Sequence, residues 1–340
     1  MSIEIAAVLA ATAVLAAALT RGMVSLARSH RLLDVPNERS SHAVPTPRGG
    51  GVGIVLASVA GWSVLALLGH LQTRLLVALA GGGLVIALCG FIDDRHQLSA
   101  RLRLLVHFGA AVWALIWLGG LPALQIGADT ITFGPFGYVL GALGIVWTIN
   151  LFNFMDGIDG IAASEAAFIS AAGAALAWWV SSAVELPAVA MLFAAACCGF
   201  LLLNWPPATI FMGDVGSGYL GYIIAVIAVA AARQSPVALF VWAILGGVFL
   251  VDATVTLARR AVRREQLQQA HRSHAYQHLA GRWRGHKPVV IGVLVVNVGW
   301  LLPSAAFALR NPDLAGVTTV IALLPLILLA VLLGSGRKVP

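Results

Sequence analysis

Long apolar runs alternate with short polar interruptions along the 340 residues, and the runs set the architecture. About 20 apolar residues cross a hydrocarbon core as one helix. On that measure the pattern predicts eleven spans, near residues 4–27, 51–71, 75–92, 102–119, 137–154, 161–180, 187–203, 216–232, 237–258, 288–309 and 314–334. The expectation is an all-α polytopic membrane protein, a single integral membrane domain over 1–340 with polar loops near 28–50, 93–101, 155–160, 204–215 and 259–287. Glycine runs at 49–53 and 81–83 lie in or beside spans with no strand before them, so close helix packing is expected there rather than a phosphate cradle. Between Gly120 and Phe136 the weak alternation of Gln125-Ile-Gly and Asp129-Thr-Ile-Thr-Phe133 predicts a small hairpin.

Composition agrees: 60% of residues are hydrophobic and 10% charged, against about a quarter charged in soluble domains. The loops after odd-numbered spans, with the C-terminal tail, hold 17 of the 21 Lys and Arg residues, and those after even-numbered spans hold three. By the positive-inside bias the odd loops are cytoplasmic, the N-terminus outside, the C-terminus cytoplasmic and the hairpin periplasmic. The net charge of +7 follows from this bias and from anionic lipid, and implies no nucleic-acid partner. Only Met-Ser-Ile-Glu precedes the first span, which lacks a basic leader and is expected to be a retained helix. Cys89, Cys197 and Cys198 all fall within spans without metal-ligand spacing, so they are read as packing residues.

Chemistry-bearing residues gather after odd-numbered spans. The segment Asn150–Gly160 sets Asn150, Asn153 and Asp156 at i, i+3 and i+6 on one broad helical face, with Asp159 in a glycine-flanked turn. Two amides and two carboxylates at a membrane edge point to a polar site; capping of neighbouring helices is the structural alternative. Asp93 and Asp94 end the third span, and adjacent carboxylates are tolerated where a cation or shared proton compensates. After the seventh span, Asn204-Trp-Pro-Pro-Ala-Thr-Ile-Phe211-Met-Gly-Asp214-Val-Gly-Ser frees the backbone around one acid, either a ligand near phosphate or a helix cap. Asp252 lies inside the ninth span as a site residue or a structural ion pair. The last large loop carries His271-Arg272-Ser-His274-Ala-Tyr-Gln-His278, whose histidines can share helical faces, and the first loop carries Arg39, His42 and Arg48, candidate phosphate contacts or topology anchors. Carboxylates and amides favour a hard cation such as magnesium, basic loops favour a phosphorylated substrate, and a site at headgroup level in a membrane protein favours a lipid as one substrate.

These motifs, Asp93-Asp94, Asn150-x-x-Asn153-x-x-Asp156-Gly-Ile-Asp159-Gly, Asn204-x-x-Pro-Ala-x-Ile-Phe211-Met-Gly-Asp214-x-Gly-Ser and the late histidine loop, resemble the polyprenyl-phosphate N-acetylhexosamine-1-phosphate transferases in order and over nearly the whole chain. That family includes the translocase of peptidoglycan synthesis and the enzyme that starts enterobacterial common antigen. The resemblance implies attack by undecaprenyl phosphate on the β-phosphate of a UDP-N-acetylhexosamine, giving a lipid diphosphate sugar and UMP. It implies Asp214 as the magnesium ligand, with manganese as a substitute, and Asp93 and Asp94 near the lipid phosphate. Asn150, Asn153, Asp156, Asp159 and Asn204 would line the nucleotide-sugar site, Phe211 would stack on uracil, and His271 and His274, with Arg272 between them, would hold the diphosphate. A multi-pass protein of the bacterial inner membrane follows, its active site cytoplasmic, and a homodimer by analogy with the peptidoglycan branch.

Two departures narrow the branch. The peptidoglycan translocase has consecutive histidines where Arg272 and Ser273 intervene here, and the first loop has His42 and Pro45-Thr-Pro-Arg48 without that enzyme's lysine. Both look more like the O-antigen and exopolysaccharide branch, whose donors include UDP-N-acetylglucosamine and its N-acetylfucosamine and N-acetylquinovosamine relatives, and they disfavour muramoyl-pentapeptide. A transporter is the rival from another class, although its binding groups would sit near the midplane rather than at one set of helix ends. An intramembrane metalloprotease would need His and Asp ligands within spans.

Overall fold

The fold is built around one helix that is buried on every side. In this computed structural model, which describes residues 2–30, 32–34, 45–235, 237–266 and 272–337, α8 (Asp214–Ala232) is buried from Val215 to its end. Its glycines and alanines leave no polar face to present to water and let neighbours approach closely, so it takes the centre. Around it pack α2 (Gly51–Leu67), α3 (Thr73–His96), α5 (Phe136–Met155) and α6 (Ile161–Val180). Outside these, α1 (Ile3–Ser29) and α7 (Glu185–Asn204) close one flank, and α4 (Ala100–Leu118) closes another with much of its surface outward. The expected close approach of the 49–53 run occurs where Gly51 meets Gly216 of α8, a contact that any Cβ would block.

All eleven expected spans fall on helices, but not all as single rods. Among the described residues, nine helical segments are long and apolar enough to cross a bilayer, including 286–310 and 312–333. The ninth expected span, 237–258, is instead two helices, α9 (Ala238–Leu245) and α10 (Gly247–Val262), bent by 76°. Gly246 and Gly247 offer no side chain to hold a straight helix there. The second, α2, is a 17-residue helix, shorter than a typical crossing.

Beyond the bend, α11 (Ala275–Arg282) is a short helix whose first turn is buried, followed by α12 (His286–Val296), a π turn at Asn297–Leu301, α13 (Leu302–Arg310) and α14 (Ala315–Leu333). The π turn admits Asn297, whose amide donates to the buried Glu165 of α6 at 2.6 Å. The expected hairpin is present as β3 (Leu124–Ile126) against β4 (Asp129–Ile131). In the first loop β1 (Leu33–Asp34) pairs with β2 (Thr46–Pro47), which returns the chain to α2.

Candidate active site

Because α8 is the central helix, its first residue is held by everything packed around it. Asp214 opens α8, and Asp94 at the end of α3 caps that opening: its Oδ1 accepts the Asp214 amide at 3.0 Å and its Oδ2 the Val215 amide at 3.3 Å. Gly213, at φ +76°, makes the turn into the helix in a region that side chains avoid. A Cβ at Gly90 would run into the Asp214 carbonyl, so α3 can reach this end of α8 only as glycine there.

The end of the first loop is stitched to the same turn. The Phe211 amide donates to the Pro47 carbonyl at 2.8 Å, and the Gly50 and Gly51 amides donate to the carbonyls of Phe211 and Met212 at 2.9 and 3.0 Å. Arg48 is thereby aimed between two carboxylates, its Nη2 lying 2.8 Å from Asp94 Oδ1 and 3.1 Å from Asp214 Oδ1. Burial opposes the guanidinium's charge, but Asp214 and Asp94 outweigh it and hold its pKa above the ordinary value. Asp93 lies beside Asp214 and accepts from Arg103 of α4 at 2.7 Å and from the Leu98 amide at 2.6 Å.

From α5, Asn153 donates to Asp214 Oδ1 and to Ser217 Oγ, both at 3.1 Å, while Asn150 donates to the Val146 carbonyl of its own helix at 2.7 Å. The helix ends at Met155, so Asp156 is its cap rather than a third residue on its face. Removal from water and then the charge of Asp214 push the Asp156 carboxyl up to about 7, against a smaller opposing effect of Arg48. Asp159 and Asn204 work on the loops themselves. The Asn204 amide accepts from Gly160 N at 2.9 Å and donates to the Ile210 carbonyl at 2.9 Å, and it is buried. Asp159 Oδ2 accepts the Ala208 amide at 3.1 Å and lies 3.2 Å from His286 Nδ1. Both residues tie the loop after α5 to the loop after α7.

In the histidine loop His274 is the N-cap of α11, one turn before His278, 1% exposed, with its ring 3.5 Å from Asp252 and stacked on Tyr276. Asp252 accepts the Ala275 and Tyr276 amides at 2.8 and 3.1 Å, which resolves it as an anchor of α11 rather than an open site. Tyr276 in turn donates to the Phe154 carbonyl at 3.2 Å, tying the loop to the end of α5. Arg272 is half-buried beside this cap. His42 and His271 lie outside the described residues.

A cavity of about 480 Å³ opens from this cluster along α4 and α5. Its polar end holds Asp93, Asn150, Asn153 and Asp214, joined by Arg103 and His107, and its wall continues over Leu104, Phe108, Leu143 and Trp147. Arg103 and His107 were not singled out from sequence. The signal was there: two basic side chains one turn apart within the apolar stretch of α4. The Nδ1 of His107 is buried with no hydrogen-bond partner among the described residues.

The sequence model described as Glycosyl transferase family 4 matches residues 76–232. A probable undecaprenyl-phosphate N-acetylglucosaminyl 1-phosphate transferase of Bacillus subtilis (strain 168) is 30% identical over 286 residues, covering 82% of this chain and 77% of that protein. The chain belongs to glycosyl transferase family 4. Two phospho-N-acetylmuramoyl-pentapeptide-transferases are also similar: that of Synechococcus elongatus is 35% identical over 61% of this chain and 58% of its own length, and that of Moorella thermoacetica 33% identical over 61% and 66%. Membership makes the protein a membrane-embedded transferase, a phosphotransferase like these relatives.

The family 4 match runs from α3 through α8, so it contains both aspartate pairs, both asparagines and Asp214, while Arg48 and the histidine loop lie outside it. Among the described residues no three His, Cys, Asp or Glu side chains are grouped so as to hold a metal ion between them. What the family 4 core offers instead is the carboxylate of Asp214 with the side-chain amide of Asn153 beside it. That donor set suits an ion that keeps several waters and draws further ligands from substrate phosphates, as magnesium does.

Proposed function

We propose that the protein transfers N-acetylhexosamine-1-phosphate from a UDP-sugar to undecaprenyl phosphate, releasing UMP and starting an O-antigen or related cell-surface polysaccharide. One observation carries this reading: Asp214 and Asn153, held by Arg48 and Asp94 from behind, line a cavity whose far wall is apolar. A nucleotide diphosphate belongs at the charged mouth, and a lipid phosphate belongs where Arg103 and His107 meet that wall. A magnesium ion bound through Asp214 would neutralise charge on the donor's diphosphate. The protein's own residues do the rest. Arg103 and His107 hold the acceptor phosphate, Asn153 orients Asp214, and the loops clamped by Asn204 and Asp159 shape the floor under the sugar. Holding two anions in line against each other supplies much of the acceleration.

The topology that fits places the N-terminus outside and the cluster at the cytoplasmic face of a bacterial inner membrane, where UDP-sugars are available. The interrupted histidine motif, and the first loop with His42 but without the peptidoglycan enzyme's lysine, favour the polysaccharide branch over muramoyl-pentapeptide. The test is UMP release by purified protein with magnesium, undecaprenyl phosphate and a panel of donors: UDP-N-acetylglucosamine, its 6-deoxy relatives and UDP-muramoyl-pentapeptide. Release with one hexosamine and not the pentapeptide is expected. Release with the pentapeptide alone moves the protein to the other branch, and silence across the panel from folded protein removes the reading.

A further inference from the structure

Arg48 stands out because its position is enforced and its partners are the two acids on which the site turns. The backbone on both sides of it is bonded to the 209–213 turn, so the guanidinium has not drifted into place. One nitrogen, Nη2, serves both carboxylates, at 2.8 Å for Asp94 and 3.1 Å for Asp214. Asp34 and Asp156 add negative field from the first loop and the α5 end. Yet the side chain is 37% exposed, and behind it lies a second cavity of about 290 Å³ lined by Met23, Asp34, Phe91, Asp94 and Arg95. The guanidinium therefore has somewhere to go.

We propose that Arg48 is a resident counter-ion for the Asp94–Asp214 pair: it holds the two carboxylates together until a divalent cation takes Asp214, and then turns to the donor's diphosphate. This rests on the metal-dependent transferase reading above. The physics is competition. A dication on Asp214 Oδ1 comes within a few ångströms of the guanidinium that already contacts the same oxygen, and even at the dielectric of water that repulsion amounts to about tenfold in affinity. Once displaced, Arg48 and neighbouring Arg95 put two fixed positive charges where a diphosphate would approach from the first-loop side. The same residue thus keeps the two acids of the unloaded site from being driven apart by their own charge and supplies a second cation, beside the metal, once both substrates are in place.

The test reads metal binding without turnover: titration of Mn2+ by electron paramagnetic resonance on full-length protein in nanodiscs, substrates absent. Wild type, Arg48→Gln, Arg48→Lys and Asp214→Asn are compared. Arg48→Gln is expected to bind Mn2+ about tenfold more tightly than wild type, Arg48→Lys to fall between, and Asp214→Asn to lose the site. In turnover, Arg48→Gln should reach half-saturation at lower Mg2+ while its KM for the UDP-sugar rises. Equal or weaker Mn2+ binding in a folded Arg48→Gln overturns the proposal; should that variant not fold, unchanged binding in Arg48→Lys overturns it equally. If wild type and Asp214→Asn bind Mn2+ alike, the metal assignment itself fails, a result separable from the first.

Discussion

Asp94 holds the amide of Asp214, 120 residues further along the chain, at 3.0 Å, and so one acid of the site positions another through its backbone. The two should fail differently. Asp94→Ala removes a helix cap and is expected to cost about 1–2 kcal/mol of stability together with most of the turnover. Asp214→Asn relieves carboxylate repulsion and should leave the melting temperature equal or higher while abolishing UMP release. Thermal unfolding in detergent beside the release assay checks both, and a strongly destabilised Asp214→Asn would contradict the arrangement.

The Asp156 carboxyl sits at about 7, against an ordinary value of 3.8. Its folded pKa is raised, so folding disfavours the charged form. The penalty is fully present above pH 7 and fades as pH falls from about 7 towards 4. In chelator, the wild type should therefore gain stability over that window, and Asp156→Asn should lose the gain while being more stable than wild type at pH 8, by on the order of 1–3 kcal/mol after allowing for partial exposure. Melting curves at pH 8 and pH 5.5 for both proteins measure it.

Arg103 touches Asp93 at 2.7 Å and lines the cavity with His107. Arg103→Ala should raise the KM for undecaprenyl phosphate by about 10- to 100-fold, the range of a lost hydrogen bond to a charged group, with the KM for the UDP-sugar little changed. His107→Ala should move the same constant in the same direction by less. A rise confined to the nucleotide-sugar KM would show that the acceptor lies elsewhere.

Asp252 fixes the start of α11 through two amides, at 2.8 and 3.1 Å. Asp252→Ala should free the histidine loop, costing about 2–3 kcal/mol and hastening proteolysis at Arg282 and Arg284, and Asp252→Asn should restore part of the protection. Unchanged cleavage rates would mean that the loop is anchored by other contacts.

Much of this was legible beforehand, for a simple reason. A run of about 20 apolar residues has few alternatives to helix, and so every expected span is helical, though the ninth is broken into two helices. The break at Gly246 was hidden because apolar residues continue across it, and hydropathy reports the environment rather than the path. Asp93, Asp94, Asn150, Asn153 and Asp214 stood out because polar groups at apolar helix ends are costly. What no local pattern could reveal was which atom each group would meet: Asp94 on the α8 amides, Asn204 clamped between two loops, His274 turned behind Asp252. Those partners lie 120, 44 and 22 residues away in sequence. Arg103 and His107 were missed for the opposite reason, since basic residues at the start of a span are ordinarily read as topology.

The outward rim of the cavity, where Leu104 and Leu143 are 44% and 52% exposed, faces the surface that lipid would cover. An acceptor entering there never leaves the bilayer. Its effective concentration is then a mole fraction in a two-dimensional film, so diluting the membrane with inert lipid should slow the reaction as surely as withholding substrate, even though nothing in the test tube has been diluted at all.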